Sequence, residues 1–587
     1  MAEFYDPLGD ADVASVAAAL VKDNFDEAKK LADGKKNARA VAMIELVKAG
    51  RPGMEHKALS AAQDAKKQGG AAGEAAGLAM EAQAQVFAKK EAESLKAAED
   101  AVAAAGKASS PACEAFALCA LAKAYMLAGR NQKAFESANK AVSAVAGDKK
   151  GEAMALETLA DTYLAMKKYS DATQAAEKIC EIYSGLGDTF GQGVGKLLSA
   201  KANIGNDSKQ EGVMDAQEAS KLFKKAGANY KMGVVNKTGA MAAIAELMYE
   251  DAKEMSERTL MCYKQAGDKH GQAGAMIVMS AFYSAEGAYD KATYRAEAAA
   301  EAFKKIGAVS EAADAFRTCC KAFIDMKMFT PKSAGSAPRE AMRTATASLK
   351  LYESISETES IGFASSTNML ALAHLAAGDL DAAMDKANEA QALFKKIDYG
   401  VGTAATLNTI AQVQQKKGDT FDAVSTAKEA QQLFQENDDE EGAEMSGYLI
   451  DVFQAPPEQE GAEPAEIETK AEKKKTGPSL CGLADLIPGG AAAVKPLCAY
   501  DAYEGRAATA PGQRRQASAA AEAAGGVTKE EAVFSVRWVA AKNLATSTES
   551  TDKAAAGRVI KRGMVSTGGA APDKLFPSKY AGGLAVY

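Results

Sequence analysis

The sequence predicts an all-α protein, built as a solenoid of repeated helical hairpins. Two observations predict it: a repeat with a period near 40 residues, and small residues that recur at fixed positions within each repeat. Such periods are typical of stacked units, each of which buries its apolar face only against its neighbours. With 587 residues, 47% of them hydrophobic, the chain is long enough for many such units.

The repeat is clearest in an aromatic residue that ends an Ala-rich stretch and is followed by a short turn and then by Gly or Ala. Successive members are 40, 40, 40, 49, 42 and 40 residues apart. They are Tyr183, Phe223, Tyr263, Phe303, Tyr352, Phe394 and Phe434. The 49-residue interval contains an insertion at 327–340, KMFTPKSAGSAPRE, whose Pro, Gly and Ser residues predict a loop.

Small residues twelve positions apart predict that each unit is a helix, a tight turn and a second helix. In one unit Ala371 is followed by Ala383 and then by Ala387, with a turn signal, AAGDLD, at 376–381. Small residues at facing positions allow two helices to pack closely. The same three positions recur as Ala122, Ala134 and Ala138; Ala160, Ala172 and Ala176; Ser280, Ala292 and Ala296; and Ala411, Ala423 and Ala427.

These units resemble the tetratricopeptide repeat (TPR), in the longer variety found in kinesin light chains and in the G-protein regulators of spindle orientation. The matching residues are Gly187, Asp188, Gly191, Gly267, Asp268 and Gly271 between units, and the small residue with a following Tyr at Ala122 and Tyr125, Ala160 and Tyr163, and Ser280 and Tyr283. The pattern departs at His374 and Gln414, which replace the Tyr, and at 197–223, where it is degenerate. The resemblance implies a TPR-like α-α superhelix.

Composition divides the chain into four predicted segments. Residues 1–54 form an N-terminal helical cap with helices at about 10–32 and 36–49, and 55–455 form the TPR-like solenoid of about ten units. Residues 456–478 are a charged, Pro-rich linker. Residues 479–587 are a basic, mostly irregular Gly/Ala/Pro-rich tail with a short helix near 528–545.

The charge of the tail is opposite to that of the rest of the chain. Residues 480–587 contain 7 Lys and 6 Arg against 9 Asp and Glu, whereas the whole chain carries a net charge of −8. A basic tail can fold back along an acidic solenoid or bind an acidic partner. Composition leaves both alternatives open.

Several classes of function are not expected. The net charge of −8 argues against nucleic-acid binding. The sequence contains no run of 18 apolar residues, so membrane insertion is not expected. The N-terminus lacks a secretory pattern, so we expect a cytoplasmic protein, with the cytoskeleton or a cilium as candidate settings.

Only three His are present, and the eight Cys include no C-x-x-C, so we expect no catalysis, no cofactor and no metal site. The segment GQGVGK at 191–196 lacks the residues of a phosphate loop and is interpreted as a turn between units.

Two sets of residues are candidates for binding a protein partner. In the TPR family, the side chains three before and one after the small residue of each first helix face the concave groove. The resemblance thus assigns to the groove a polar run of Asn368, Asn408 and Gln412, with Gln415 nearby, suited to hydrogen bonding a peptide main chain. The second set consists of the basic and aromatic residues of the tail, Arg514, Arg515, Arg537, Trp538, Arg558, Lys561, Arg562, Phe576 and Tyr580.

The sequence therefore favours a non-catalytic scaffold or adaptor within a larger assembly, cytoskeletal or axonemal for instance. In that hypothesis the tail docks on an acidic surface such as tubulin or another subunit of the complex. One alternative is a peptide-binding adaptor in trafficking or signalling that uses the groove. Another is an accessory subunit of a multi-subunit enzyme complex, in which the chemistry lies elsewhere.

Overall fold

A computed structural model describes residues 4–454 except 53, 55, 146, 331–333 and 438. The described residues form 23 helices and no strand. The helices are α1 (Ala11–Val21), α2 (Phe25–Lys35), α3 (Ala38–Ala49), α4 (Ala58–Ala65), α5 (Gly70–Phe87), α6 (Glu91–Ala108), α7 (Pro111–Leu127), α8 (Asn131–Ala144), α9 (Lys149–Ala165), α10 (Tyr169–Gly185), α11 (Thr189–Gly205), α12 (Lys209–Ala226), α13 (Asn229–Ala245), α14 (Tyr249–Gln265), α15 (Lys269–Glu286), α16 (Tyr289–Lys305), α17 (Val309–Phe329), α18 (Ala337–Ser354), α19 (Ile361–Ala377), α20 (Leu380–Lys396), α21 (Gly400–Lys417), α22 (Thr420–Glu436) and α23 (Glu440–Gln454).

From α5 to α22 the helices form consecutive pairs, each called here a unit with a first and a second helix. Each helix packs mainly against the helices before and after it in sequence. This pattern of neighbour-only contact defines a solenoid. The predicted TPR-like helical solenoid is confirmed.

The small residues predicted at the helix–helix contacts are fully buried. All fifteen positions in the five aligned units are 0% exposed to solvent, Ala371, Ala383 and Ala387 among them. The approach is close enough that the Ser280 hydroxyl, on a first helix, donates a hydrogen bond of 2.8 Å to the main-chain oxygen of Ala292 on the second. A larger side chain at these positions would force the two helices apart.

The aromatic–Gly spacing has a physical cause at the junction between units. Phe394, at the end of α20, is 0% exposed, and its ring lies against Gly402 in the first turn of α21. A Cβ on Gly402 would lie 2.3 Å from the ring, so this position admits only glycine without rearrangement. The same contact joins Tyr183 to Gly191, Tyr263 to Gly271 and Phe434 to Gly442.

The Gly-Asp pair between units begins the next first helix. Gly187 has a φ of +66°, which glycine adopts without strain, and it places Asp188 at the N-cap of α11. There the Asp188 carboxylate accepts a hydrogen bond of 3.0 Å from the main-chain nitrogen of Gly191. Gly267 and Asp268 repeat this arrangement at the start of α15.

Three predictions about local structure are corrected. The helix expected at 10–32 is divided into α1 and α2, because Asp23 takes a positive φ of 57° between them. The segment 191–196 is not a turn between units but part of α11, where its glycines make room for Tyr183, Phe223 and Cys180. The apparently degenerate segment 197–223 lies in a regular pair, α11 and α12.

Candidate functional site

The first helices of successive units pack against one another along the solenoid. The first helix of one unit packs against the first helix of the next, as α17 does against α19 and α19 against α21. Successive second helices make no packing contacts of comparable extent. The first helices therefore form a continuous row, and the side chains on its free face are the candidates for the predicted groove.

Four amide side chains of α19 and α21 form the candidate site, called here the amide face: Asn368, Asn408, Gln412 and Gln415. Asn368 is 2% exposed and Asn408 6% exposed. Within the described part of the chain, the side-chain oxygen of each of the four is buried without a hydrogen-bond partner. Asn368 and Asn408 occupy the same position in adjacent units, three residues before Ala371 and Ala411.

The orientation of one of these amides is fixed by an internal contact. The Gln412 side-chain nitrogen donates a hydrogen bond of 3.2 Å to the main-chain oxygen of Asn408, one turn earlier on α21. This bond uses one of the two N–H donors of the Gln412 amide, whereas its buried oxygen Oε1 accepts no hydrogen bond. A buried acceptor without a donor costs about 1–3 kcal/mol, and such groups are rare in folded proteins. Four such oxygens lie together on the two adjacent first helices α19 and α21.

The neighbouring first helix, α17, is charged rather than amide-bearing. Arg317 donates a hydrogen bond of 2.8 Å to Asp314 Oδ1, and Tyr352 of α18 donates one of 2.6 Å to the same oxygen. One turn further, Lys321 donates to Asp325 Oδ2 at 2.8 Å. Burial raises the pKa of Asp314, although Arg317 and Tyr352 stabilise its charged form. The amide face is thus bordered by paired charges.

A second charged cluster lies on α7, α9, α11 and α13. Asp161 on α9 is 8% exposed and is influenced by the charges of Lys201, Glu157, Lys123 and Lys231. Burial raises the pKa of Asp161 to about 6, while the three lysines favour its charged form. Glu157, Asp161 and Lys123 are at the positions that the family resemblance assigns to the groove.

Sequence reasoning missed the inner positions of three first helices. Steps of 40 residues back from Ser280 reach Ala240 and Ala200, and one step forward reaches Cys320. All three residues are 0% exposed. The positions three before and one after them include Lys201, Lys237, Arg317 and Lys321. The signal was present in the period but was concealed by a cysteine in place of a small residue and by the insertion after α17.

The predicted tail residues fall in a part of the chain that the structure does not describe. Arg514, Arg515, Arg537, Trp538, Arg558, Lys561, Arg562, Phe576 and Tyr580 lie outside the described residues, as do the linker and the helix expected near 528–545. The charge argument for this segment therefore stays a prediction.

Burial affects the cysteine thiols of the described helices. Burial raises the pKa of the Cys119, Cys180 and Cys262 thiols to about 11, so they are protonated at neutral pH. Across the same residues, no three His, Cys, Asp or Glu side chains are close enough together to hold a metal ion. No described helix is both long and apolar enough to cross a bilayer.

Comparison with known proteins gives structural likenesses at low identity. No protein-family model matches the sequence, and the search of curated proteins finds no match. A signal transduction ATPase with numerous domains (STAND) from Pyrococcus horikoshii, which has a tetratricopeptide-repeat sensor, is 17% identical with a TM-score of 0.41. The match covers 59% of this chain and 50% of that protein.

Two further structures match over most of their own length. Aspartyl phosphate phosphatase F from Bacillus subtilis is 12% identical with a TM-score of 0.37, over 65% of this chain and 94% of that one. A Rap protein complexed with competence and sporulation factor is 12% identical with a TM-score of 0.36, over 68% and 99%. TM-scores below 0.5 do not establish a shared function, so what this chain binds must follow from its own residues.

Proposed function

We propose that this chain is a protein-interaction module that binds an extended peptide segment of a partner along the amide face. The observation that supports it is the set of four buried, unpaired side-chain oxygens on α19 and α21. Binding is stoichiometric and noncovalent, and the solenoid acts as an adaptor or scaffold rather than as a catalyst.

A peptide main chain fits the chemistry of the amide face. The atoms without a hydrogen-bond partner are acceptors. An extended peptide presents N–H donors along one edge at every second residue, about 7 Å apart. Recognition through the main chain gives affinity with little dependence on sequence, and neighbouring side chains then provide selectivity. Here those neighbours are the paired charges of α17, Arg317 with Asp314 and Lys321 with Asp325.

The experiment is selection from a random peptide library by the full-length protein, followed by affinity measurements with variants. The change Asn368→Ala with Asn408→Ala should weaken binding of selected peptides about tenfold or more, since each lost bond costs about 1 kcal/mol. The matched control is Asn388→Ala, on α20 of the same unit, where the side chain is exposed on a second helix. Equal affinity of the double variant and the control would contradict the proposal.

The second candidate is docking through the tail, which the net positive charge of 480–587 supports. An acidic partner surface such as tubulin, in a cytoskeletal or axonemal setting, suits that charge. A chain that ends after Gln454 separates the two functions. If the groove binds the partner, the shortened chain keeps its peptides; if the tail docks, the shortened chain loses sedimentation with microtubules while the Asn368 and Asn408 variants keep it.

A further inference from the structure

The three N-terminal helices form a body with its own small core. Val13, Val16 and Leu20 of α1 pack with Met43 and Val47 of α3 and are 3% exposed or less. Asp10 joins the same two helices through hydrogen bonds of 2.8 Å from Asn37 and 2.9 Å from Arg39. This cluster is distinct from the one that α3 to α9 share.

The first residues of this body contact units that come more than 140 residues later in the chain. The Tyr5 hydroxyl donates a hydrogen bond of 2.6 Å to Asp148 Oδ2, the N-cap residue of α9. The Phe4 ring meets the ring of Phe190, in the first turn of α11, edge to face at 5.6 Å. Two successive first helices are therefore held at their N-terminal ends.

A second contact, at the other end of the same body, reaches α13. Asp23 Oδ2 accepts a hydrogen bond of 2.9 Å from the main-chain nitrogen of Tyr230, and Asp23 Oδ1 accepts one of 2.6 Å from Arg51. The Arg51 guanidinium lies between two rings, 4.8 Å from the centroid of Phe25 and 4.1 Å from that of Tyr230. Both Asp23 and Arg51 are 6% exposed, so this ion pair is buried.

We propose that α1–α3 are a releasable clamp, closed by Tyr5 on Asp148 and by Asp23 and Arg51 on Tyr230, that fixes the curvature of the units containing α9, α11 and α13. Units of a solenoid otherwise contact only their neighbours, so the angle between them is set by one interface at a time. A rigid body attached to three successive units at the same end blocks that bending. α3 stays packed in the apolar core that it shares with α4 to α9, whereas α1 and α2 pack extensively only against each other and α3. The contacts that tie this body to α9, α11 and α13 involve polar and aromatic side chains, so they can open while α3 stays in place.

The clamp is placed to act on the inner surface of the solenoid. Tyr230 is held by Asp23, and the next residue, Lys231, belongs to the charged cluster around Asp161. Opening the clamp frees the N-terminus of α13 and thereby shifts Lys231 relative to α9. A ligand that prefers one curvature would in turn favour one state of the clamp.

The test asks whether the two ends of the clamp open together. Hydrogen–deuterium exchange of the full-length protein, followed by mass spectrometry, reports on segments 147–153 and 227–236. Tyr5→Phe removes the bond to Asp148 and should raise exchange not only in 147–153 but also, about tenfold, in 227–236, because the clamp opens as one body. Arg51→Met should produce the reciprocal rise in 147–153.

The control is Tyr163→Phe, which removes a hydroxyl from α9 fifteen residues beyond Asp148 and should leave 227–236 unchanged. A rise confined to the segment next to each substitution would overturn the proposal, since the contacts would then be independent. A rise spread evenly over α5–α22 would overturn it too, because the contacts would then open only in global unfolding. If Tyr5→Phe is too mild to move either segment, Phe4→Ala with Tyr5→Ala applies the same criteria.

Discussion

The junction between units gives a sharp test of the packing. In Gly402→Ala the new Cβ would lie 2.3 Å from Cδ1 and 2.6 Å from Cε1 of Phe394, and 2.6 Å from Cδ1 of Tyr399. Ordinary carbon contacts are about 3.5–4.0 Å, so a ring that is 0% exposed must move by more than about 1 Å. Overpacking of this kind costs about 1–3 kcal/mol, against a gain of about 0.5–1 kcal/mol from replacing a helical glycine. We expect a net destabilisation of about 1–2 kcal/mol.

The control for this prediction has the opposite sign. Gly106 lies inside α6 with nothing within 4 Å of the position of a Cβ. Gly106→Ala should therefore stabilise the protein by about 0.5–1 kcal/mol. The assay is urea unfolding followed by far-ultraviolet circular dichroism, with midpoints compared because long repeat arrays depart from two-state behaviour. If Gly402→Ala shifts the midpoint upward as Gly106→Ala does, the ring-on-glycine contact is not what the structure indicates.

Two further predictions concern titratable groups. Burial raises the folded pKa of Asp161 from 3.8 to about 6, so between these pH values the native state binds more protons than the unfolded state and stability falls as pH rises. Asp161→Asn should therefore raise the unfolding midpoint at pH 7 and change it little at pH 4. An equal shift of the midpoint at both pH values would contradict the reasoning. The Cys119 and Cys262 thiols are both 1% exposed, and burial raises their pKa to about 11. At pH 8 they should react with a maleimide at least about a hundredfold more slowly in the native protein than after denaturation, as measured by mass spectrometry of labelled peptides. Comparable rates would place these thiols at the surface.

Much of the fold could be predicted because its determinants are local and repeated. Ala371 and Ala383 are twelve residues apart because the turn between two helices has a fixed length, and Phe394 and Gly402 are eight apart because they meet across the next turn. Such spacings are visible in a single sequence. The same period places Asn368 and Asn408 at equivalent positions of adjacent units, and their role in binding stays a prediction.

What could not be predicted depends on contacts between distant segments. Tyr5 and Asp148 are 143 residues apart, and Asp23 and Tyr230 are 207 apart, so no spacing relates them. The division of the first predicted helix was missed because Asp23, not a glycine, adopts the positive φ. That residues of the amide face would be left without donors also needed coordinates, because a sequence does not reveal which polar groups find partners.

The most direct test of peptide binding by the amide face is a double-mutant cycle between protein and ligand. Binding of one selected peptide, with and without a single N-methylated amide, is measured by calorimetry to the wild-type protein and to Asn408→Ala. If Asn408 accepts a hydrogen bond from that N–H, N-methylation at one position of the peptide should weaken binding to the wild type about tenfold and have almost no effect on the variant. Equal losses for both proteins at every position of the peptide would contradict main-chain recognition by the amide face.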